Sequence, residues 1–428
     1  MKTLNRRNFL QITGSGIAAS VVHSQSAANQ NHVTSESQKP NVILIISDDH
    51  AFTDYGFMRH STVQTPHIDR LASEGVVFTR GYVTTALCCP SLSTLLTGLY
   101  PHQHKITGND PVNKDERHLW FHAFEQCPRL PALLSEAGYV SFQTGKFWME
   151  HYSRAGFTDG MTVEGRHGGA GLEIGRSTMQ PIYDFIDQAQ RDNKPFFVWY
   201  APFLPHTPHN PPEHLLEKYQ SAGENAKYYA MCEWLDQTCG ELLAYLDRQN
   251  LDENTIVIYL ADNGWTQPYK GSPYELGVRT PVIIRRSGHL APRMDTSHLA
   301  SNIDIVPTIL TACGLTPSPG MPGMNLLDTQ QIAARDTIFL ENYAHDMIRV
   351  DQPARSLRAR SCIQDDWKLI LWQKEQPKVR TSGQPKPDED IELYQLSVDP
   401  LETSNLADTH PEKVAQLTKR INDWWNPD

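Results

Sequence analysis

Cysteine is scarce in this 428-residue chain: the seven present, Cys88, Cys89, Cys127, Cys232, Cys239, Cys313 and Cys362, fall in no zinc-ligand spacing. An odd count leaves at least one thiol unpaired in an oxidising compartment. Cys232 and Cys239 stand seven apart on a predicted helix, about two turns, so they are expected to pack in a core rather than bridge. Beyond residue 28 no apolar run is long enough to span a bilayer. A basic excess is missing too. The net charge is −11, and without residues 1–28, which hold Lys2, Arg6 and Arg7 and no acid, it is −14. That balance excludes general binding of nucleic acid or anionic membrane. A polyanionic substrate would require basic residues gathered at one site.

What is present is a series of apolar runs, each ending in polar residues. Asn41–Ser47 is uninterrupted and reads as a strand buried on both faces, with Asp48-Asp49 directly after it. Thr65 to Gly75 reads as a helix with Pro66 in its first turn and a glycine stop, and Val76–Phe78 as a strand. A strand-like run ending at Thr84 then feeds Cys88-Cys89-Pro90-Ser91, where Pro90 starts an apolar helix that Gly98 stops. This places a thiol at a helix N-terminus, where free N–H groups favour a nucleophile of lowered pKa or a bound oxyanion. Strands over 139–144, 196–200 and 255–260 run into Lys146, into Pro205-His206 and into Asp262-Asn263. Ligands of open α/β sheets sit beyond the carboxyl ends of strands, so the acids there are either turn residues or oxygen ligands for a hard divalent cation.

The N-terminus reads as a targeting segment: Arg6-Arg7 followed by Phe9-Leu10, a mild apolar stretch, then small residues up to 28. It resembles a twin-arginine export signal, which implies the twin-arginine export machinery as a partner and a periplasmic or secreted destination. Residues 29–38 are polar and read as a linker.

Cys88-x-Pro90-Ser91-x-x-x-Leu95-x-Thr97-Gly98 resembles the sulfatase signature, in which the first Cys becomes formylglycine through a maturation enzyme. The register selects Cys88. Leu92 stands where the family has an arginine that the maturation enzyme reads and that supports the aldehyde hydrate. Further words resemble the family in order: Asp48-Asp49, Gly145-Lys146, Pro205-His206-x-Pro208, Asp262-Asn263-Gly264 and Lys270-Gly271 with Glu275, Gly277, Arg279 and Pro281. The resemblance implies Ca²⁺ held by Asp48, Asp49, Asp262, Asn263 and residue 88. It also implies sulfate contacts from Lys146 and Lys270, and His206 as proton donor to the leaving oxygen. His104 is the candidate base for releasing sulfate. Trp148 replaces a family histidine, and His151 or His167 are the candidates to supply that imidazole. Glu275 and Arg279 are expected to organise their loop.

The implied fold is α/β: a large alkaline-phosphatase-like domain over 39–345, with a central mostly parallel sheet between helices. A small C-terminal subdomain over 346–428 adds an antiparallel sheet, a charged hairpin around 374–390 and a last helix from Pro411. The implied activity is hydrolysis of a sulfate ester on a sulfated carbohydrate. Two alternatives stand beside it: a phosphatase or phosphonate monoester hydrolase of the same superfamily, and a catalytically impaired protein that binds sulfated glycan.

Overall fold

Alternate residues of the first strand serve different cores. Val42, Leu44 and Ile46 pack with one apolar cluster, while Ile43 and Ile45 pack with another on the opposite face. The structure, a computed structural model, describes residues 39–266 and 268–427, so the expected signal over 1–28 and linker over 29–38 lie outside the described residues. The sheet that separates the two clusters has eight strands: β1 (Asn41–Ser47), β2 (Val76–Phe78), β3 (Val140–Gly145), β4 (Asp159–Gly160), β5 (Phe196–Ala201), β6 (Thr255–Ala261), β7 (Val282–Arg285) and β8 (Arg293–Asp295). Their spatial order is β8-β2-β7-β6-β1-β5-β3-β4. Pairing is parallel except where β7 meets β6 and β2.

Helices cover both faces, which is why the central strands read as unbroken apolar runs. Helix α1 (Pro66–Glu74) packs Ile68 and Leu71 into one cluster, and α2 (Cys88–Thr97) packs Leu92, Leu95 and Leu96 into the other. Helix α2 starts two residues before Pro90, so Cys88 is its first residue, and Gly98 closes it at φ 67°. A 23-residue helix, α3 (Ala226–Arg248), buries Met231, Leu235, Cys239 and Leu242 on the α1 side. Cys232 and Cys239 are both buried and unbridged, as the spacing predicts.

A second sheet is wholly antiparallel: β9 (Thr337–Tyr343), β10 (Leu357–Gln364), β11 (Trp367–Trp372) and β12 (Ile391–Gln395), in that order. The last helix, α4 (Pro411–Trp424), lays Leu417 and Ile421 against it. Residues 373–390 are the long connection of the hairpin that β11 and β12 make, closed by the Trp372 N–H on the Asp390 carbonyl at 2.9 Å, and contain no strand of their own. The β10 side chain Arg358 holds this connection, its Nη1 and Nη2 donating to the carbonyls of Ser382 and Gln384.

The start of α1 is capped from outside its own segment. Thr65 Oγ1 donates to Asp69 at 2.9 Å, whereas the free N–H groups of His67 and Ile68 donate to Asp236 Oδ1 at 3.0 and 2.7 Å. Asp236 lies mid-way along α3, so a tertiary carboxylate fills a role that sequence usually gives to the N-cap residue. The glycine stop has a different cause as well. Gly75 has φ −122°, and a Cβ there would lie 2.8 Å from the carbonyl oxygen of Ile284. Close approach to β7, not left-handed backbone, requires glycine.

Burial pushes the Asp236 carboxyl up to about 7 against the pull of the two N–H donors. A raised acid pKa means that the native state binds more protons than the unfolded one between the ordinary value of 3.8 and about 7, so this carboxyl's contribution to stability shrinks as pH rises through that window. Asp236→Asn keeps an acceptor for the helix and loses the titration. In denaturant melts it is expected to gain on wild type as pH rises from 4 to 7. Asp236→Ala leaves both N–H groups unpaired and is expected to cost about 1–3 kcal/mol throughout.

Candidate active site

Strand register brings the acids together. Ser47 pairs with Ala261, so Asp48 and Asp262 leave their strands level with each other, and the Asp262 N–H donates to the Ser47 carbonyl at 2.9 Å. Asp49 then turns in the left-handed region at φ 62°, where its N–H reaches Asp262 Oδ1 at 3.0 Å. Non-glycine residues occupy that region at a cost, and Asp tolerates it better than most. Asn263 Nδ2 donates to Asp49 Oδ1 at 2.7 Å. On the other flank, Asp48 N–H bonds the Leu204 carbonyl at 2.9 Å, which ties the His206 loop to the tip of β1.

Two lysines enter from neighbouring segments. Lys146 follows β3, its N–H bonded to Ala201 at the end of β5, and its Nζ lies 2.5 Å from Asp48 Oδ1. Lys270, on the loop after β6, places Nζ 2.5 Å from Asp49 Oδ2. His206 Nε2 lies 3.4 Å from the same oxygen. Its Nδ1 faces the Thr207 carbonyl at 2.5 Å, and a carbonyl only accepts, so Nδ1 carries the proton and Nε2 is left for the cleft. Cys88 Sγ lies 3.9 Å from one oxygen of each of Asp48 and Asp49.

Burial decides the protonation states. It would raise Asp49, but Lys270, His206 and Lys146 outweigh it and hold that carboxyl at about 2. Asp262 is pushed well above the usual range, by burial first and then by the charge of Asp48. Desolvation lowers His206, and burial drives the Cys88 thiol far up, so as a thiol it is a poor nucleophile at neutral pH.

The donor set fits a hard cation. Three buried oxygens, Asp48 Oδ2, Asp262 Oδ2 and Asn263 Oδ1, accept no hydrogen bond. The nearest cation to Asp262 Oδ2 is Lys146 Nζ at 3.7 Å, too long for a bond. Ligand atoms of Asp48, Asp49, Cys88 and His206 lie within 4.8 Å of one another. Orphaned buried acceptors are costly, and oxygen-rich ligation suits Ca²⁺ or Mg²⁺.

Not every sequence candidate joins this group. His104 is fully buried behind α2, with Nε2 3.3 Å from Thr94 Oγ1 and Nδ1 accepting from the Ile106 N–H, and burial takes its pKa down to about 3. It braces the signature helix and does not line the cleft. His151 bonds Ser153 in a separate surface groove, whereas His167 lines the cleft with its ring 5.9 Å from Phe203. Leu92 and Trp148 are 1% and 2% exposed and belong to one core cluster. Glu275 and Arg279 do organise their loop: Glu275 bonds Tyr82 and Lys368, and Arg279 bonds the Thr79 carbonyl.

The cleft, of about 450 Å³, has a second wall formed by Asn109, Arg166, His345 and Arg380, of which motif reasoning missed His345 and Arg380. Asn109 Oδ1 accepts from the Cys89 N–H at 3.0 Å, and Arg166 grips Asp110 through Nε at 2.6 Å and through Nη2. His345 and Arg380 come from far along the chain with no spacing that marks them.

Ca²⁺ added to chelator-treated protein is expected to raise the unfolding midpoint, with about 2.7 kcal/mol of stabilisation at a hundredfold excess over Kd. Asp262→Asn should weaken that shift. A calorimetric midpoint unmoved by Ca²⁺ removes the cation from this site.

A family model described as Sulfatase matches residues 40–315, and one described as N-sulphoglucosamine sulphohydrolase, C-terminal, matches residues 264–426. N-acetylgalactosamine-6-O-sulfatase of Bacteroides thetaiotaomicron is 26% identical over 493 residues, covering 90% of this chain and 93% of that protein. Human arylsulfatase A is 26% identical over 455 residues, covering 90% and 87%. The match to the dog N-acetylgalactosamine-6-sulfatase spans 66% of that relative's length. Among solved structures, the PsFucS1 sulfatase from Pseudoalteromonas sp. superposes with a TM-score of 0.69 at 21% identity, covering 91% of this chain and 90% of that one. The phosphonate monoester hydrolase of Agrobacterium radiobacter gives 0.70 at 18%, covering 90% and 95%. The fold is therefore common to both ester chemistries, and it is the sulfatase match over most of the sequence that assigns this chain: it belongs to the sulfatase family.

Proposed function

We propose that the protein is a sulfuric ester hydrolase that removes sulfate from a sulfated carbohydrate. The observation that carries this reading is the meeting of Lys146, Lys270 and His206, which line one cleft, with the buried Asp48, Asp49 and Asp262 beneath them, beside residue 88. The named activities of the relatives, on N-acetylgalactosamine-6-sulfate among them, support the substrate class. Residues 1–28, read as an export signal, put the enzyme in the periplasm or outside the cell.

Asp48, Asp49, Asp262, Asn263 and residue 88 would hold calcium, which would supply positive charge against the sulfate oxygens. Cys88 converted to formylglycine would supply a hydrated aldehyde oxygen as nucleophile. The chain's own residues do the rest. Lys146 and Lys270 lie at the floor of the cleft, charged and pre-positioned by the carboxylates, so they offer N–H donors to an anion without reorganising. His206, aimed by Thr207, presents Nε2 to the leaving oxygen. Its pKa is low in the substrate-free cleft, and an incoming anion raises its proton affinity by adding negative charge nearby. The proton then passes from Nε2 to the departing alcohol.

A second reading rests on Cys88 itself. As an unmodified, buried thiol of raised pKa, with Leu92 in the position of the maturation arginine, it leaves a pocket that binds sulfated glycan without turnover. Mass spectrometry of the residue-88 peptide from protein made in its natural host is expected to give the aldehyde; an intact thiol favours the second reading.

Aryl sulfate is expected to be hydrolysed faster than aryl phosphate. His206→Ala should lower kcat by about 10²–10⁴ on a sugar sulfate, where the alkoxide leaves poorly, and by less on 4-nitrophenyl sulfate. Equal losses on both would remove His206 from the role of acid.

A further inference from the structure

Four cationic side chains line the cleft, Lys146, Lys270, Arg166 and Arg380, with no carboxylate among the lining residues, in a chain of net charge −11. Three of them are already paired. Lys146 and Lys270 hold Asp48 and Asp49, and Arg166 holds Asp110, which Arg117 also bonds. Arg380 has no carboxylate within ion-pair distance among the described residues. Its charge adds to desolvation in lowering the pKa of His345 on the same wall.

The backbone that carries Arg380 is fixed in place from three sides. Its carbonyl accepts from the Asp346 N–H at 3.3 Å. Arg358, 2% exposed, spends two guanidinium nitrogens on the carbonyls of Ser382 and Gln384 at 2.9 and 2.8 Å. Gly383, at φ 77°, lies against the segment that carries Lys270, where a Cβ would stand 2.7 Å from Gly271 C and from the Lys270 carbonyl oxygen. A buried arginine and a glycine forced by contact are an unusual investment for a surface loop. Their result is an unpaired guanidinium at the rim, on a wall joined directly to the backbone of Lys270.

We infer that Arg380 reads a second negative charge on the substrate, so that the favoured ligand is a saccharide carrying another sulfate or a carboxylate beside the sulfate ester that is cleaved. The inference rests on the proposed hydrolase reading and names its substrate class. Arg380 is a specificity residue: it touches the part of the sugar that does not react. A guanidinium–anion pair is worth about ten- to hundredfold in affinity. Arg380 is exposed, so solvent and salt screening puts the expected effect at about tenfold.

The test compares wild type, Arg380→Ala and Arg380→Lys on three saccharides with the same scissile sulfate: one with no further charge, one with a second sulfate, one with a neighbouring carboxylate. Wild type is expected to prefer at least one doubly charged saccharide by about tenfold in kcat/KM. Arg380→Ala should lose that preference through KM rather than kcat, Arg380→Lys should keep part of it, and added salt should erode it. Whichever doubly charged saccharide carries the preference identifies the second group. No preference in wild type, or an equal loss by Arg380→Ala on all three, overturns the inference. If wild type cleaves none of them, the hydrolase reading has failed, and calorimetric binding of the disulfated and the carboxylated saccharide decides the role of Arg380. At least one of them binding Arg380→Ala about tenfold more weakly than wild type supports it, and equal affinities for both overturn it.

Discussion

Three carboxylates packed at the tips of two neighbouring strands repel one another, and the architecture of the cleft follows from holding them there. Asp48, Asp49 and Asp262 are at most 2% exposed, so water screens little of the repulsion. Lys146 and Lys270 offset two of the three charges, and Asp262 is left with its pKa driven upward. Removing one partner of such a buried pair typically costs about 3–5 kcal/mol, because the other charge is stranded. The lysines thus belong to the fold as well as to the site. They also leave unpaired acceptors on Asp48, Asp262 and Asn263, an arrangement that a further cation would complete.

The same logic joins the two sheets. Lys368, on β11 and fully buried, bonds Glu275 at 3.2 Å and Glu402 at 2.8 Å, and Glu402 also accepts from the Glu275 N–H. Glu275 sits five residues after Lys270. A buried lysine of the small sheet therefore positions the loop that brings Lys270 to Asp49, and Asn342 from β9 bonds the carbonyl of Gly271 in the same loop. The antiparallel sheet acts as a clamp on one edge of the cleft.

This division explains what the sequence made legible. The acids at strand ends were readable because apolar runs fix the strands, and parallel strands bring their carboxyl ends to one edge, whereas the roles of Lys146, Lys270 and His206 came from the family resemblance. Asp48, Asp49, Cys88, Lys146, His206, Asp262, Asn263 and Lys270 all fall there. His104 misled because its loop follows the signature helix closely in sequence, yet the turn folds its ring behind that helix against Thr94. Asp236 as the cap of α1, and His345 and Arg380 as cleft residues, left no local trace: each acts on residues distant in the chain through packing that no periodicity encodes. The hairpin of β11 and β12 forms, but the course of its long connection over 373–390 was not legible: Arg358, a β10 side chain, holds the carbonyls of Ser382 and Gln384.

The two departures from the family words have one physical setting. Leu92 and Trp148 both point into the apolar cluster beneath α2, where Trp148 meets Phe124 edge-on at 5.5 Å. A guanidinium or imidazole at either place would need a polar outlet that this packing does not offer. Arg166 and His167 line the cleft from a loop pressed against the end of β3. The His167 carbonyl accepts from the Phe147 N–H at 2.9 Å, and Gly168, at φ 132°, would place a Cβ 2.3 Å from the Gly145 carbonyl oxygen. Arg166 donates to His167 Nε2, which keeps that ring neutral with its other nitrogen protonated, and burial takes its pKa down to about 4. Arg166 and His167 give this side of the cleft a guanidinium and an imidazole. Both line the open cleft, whereas Leu92 and Trp148 pack beneath the helix.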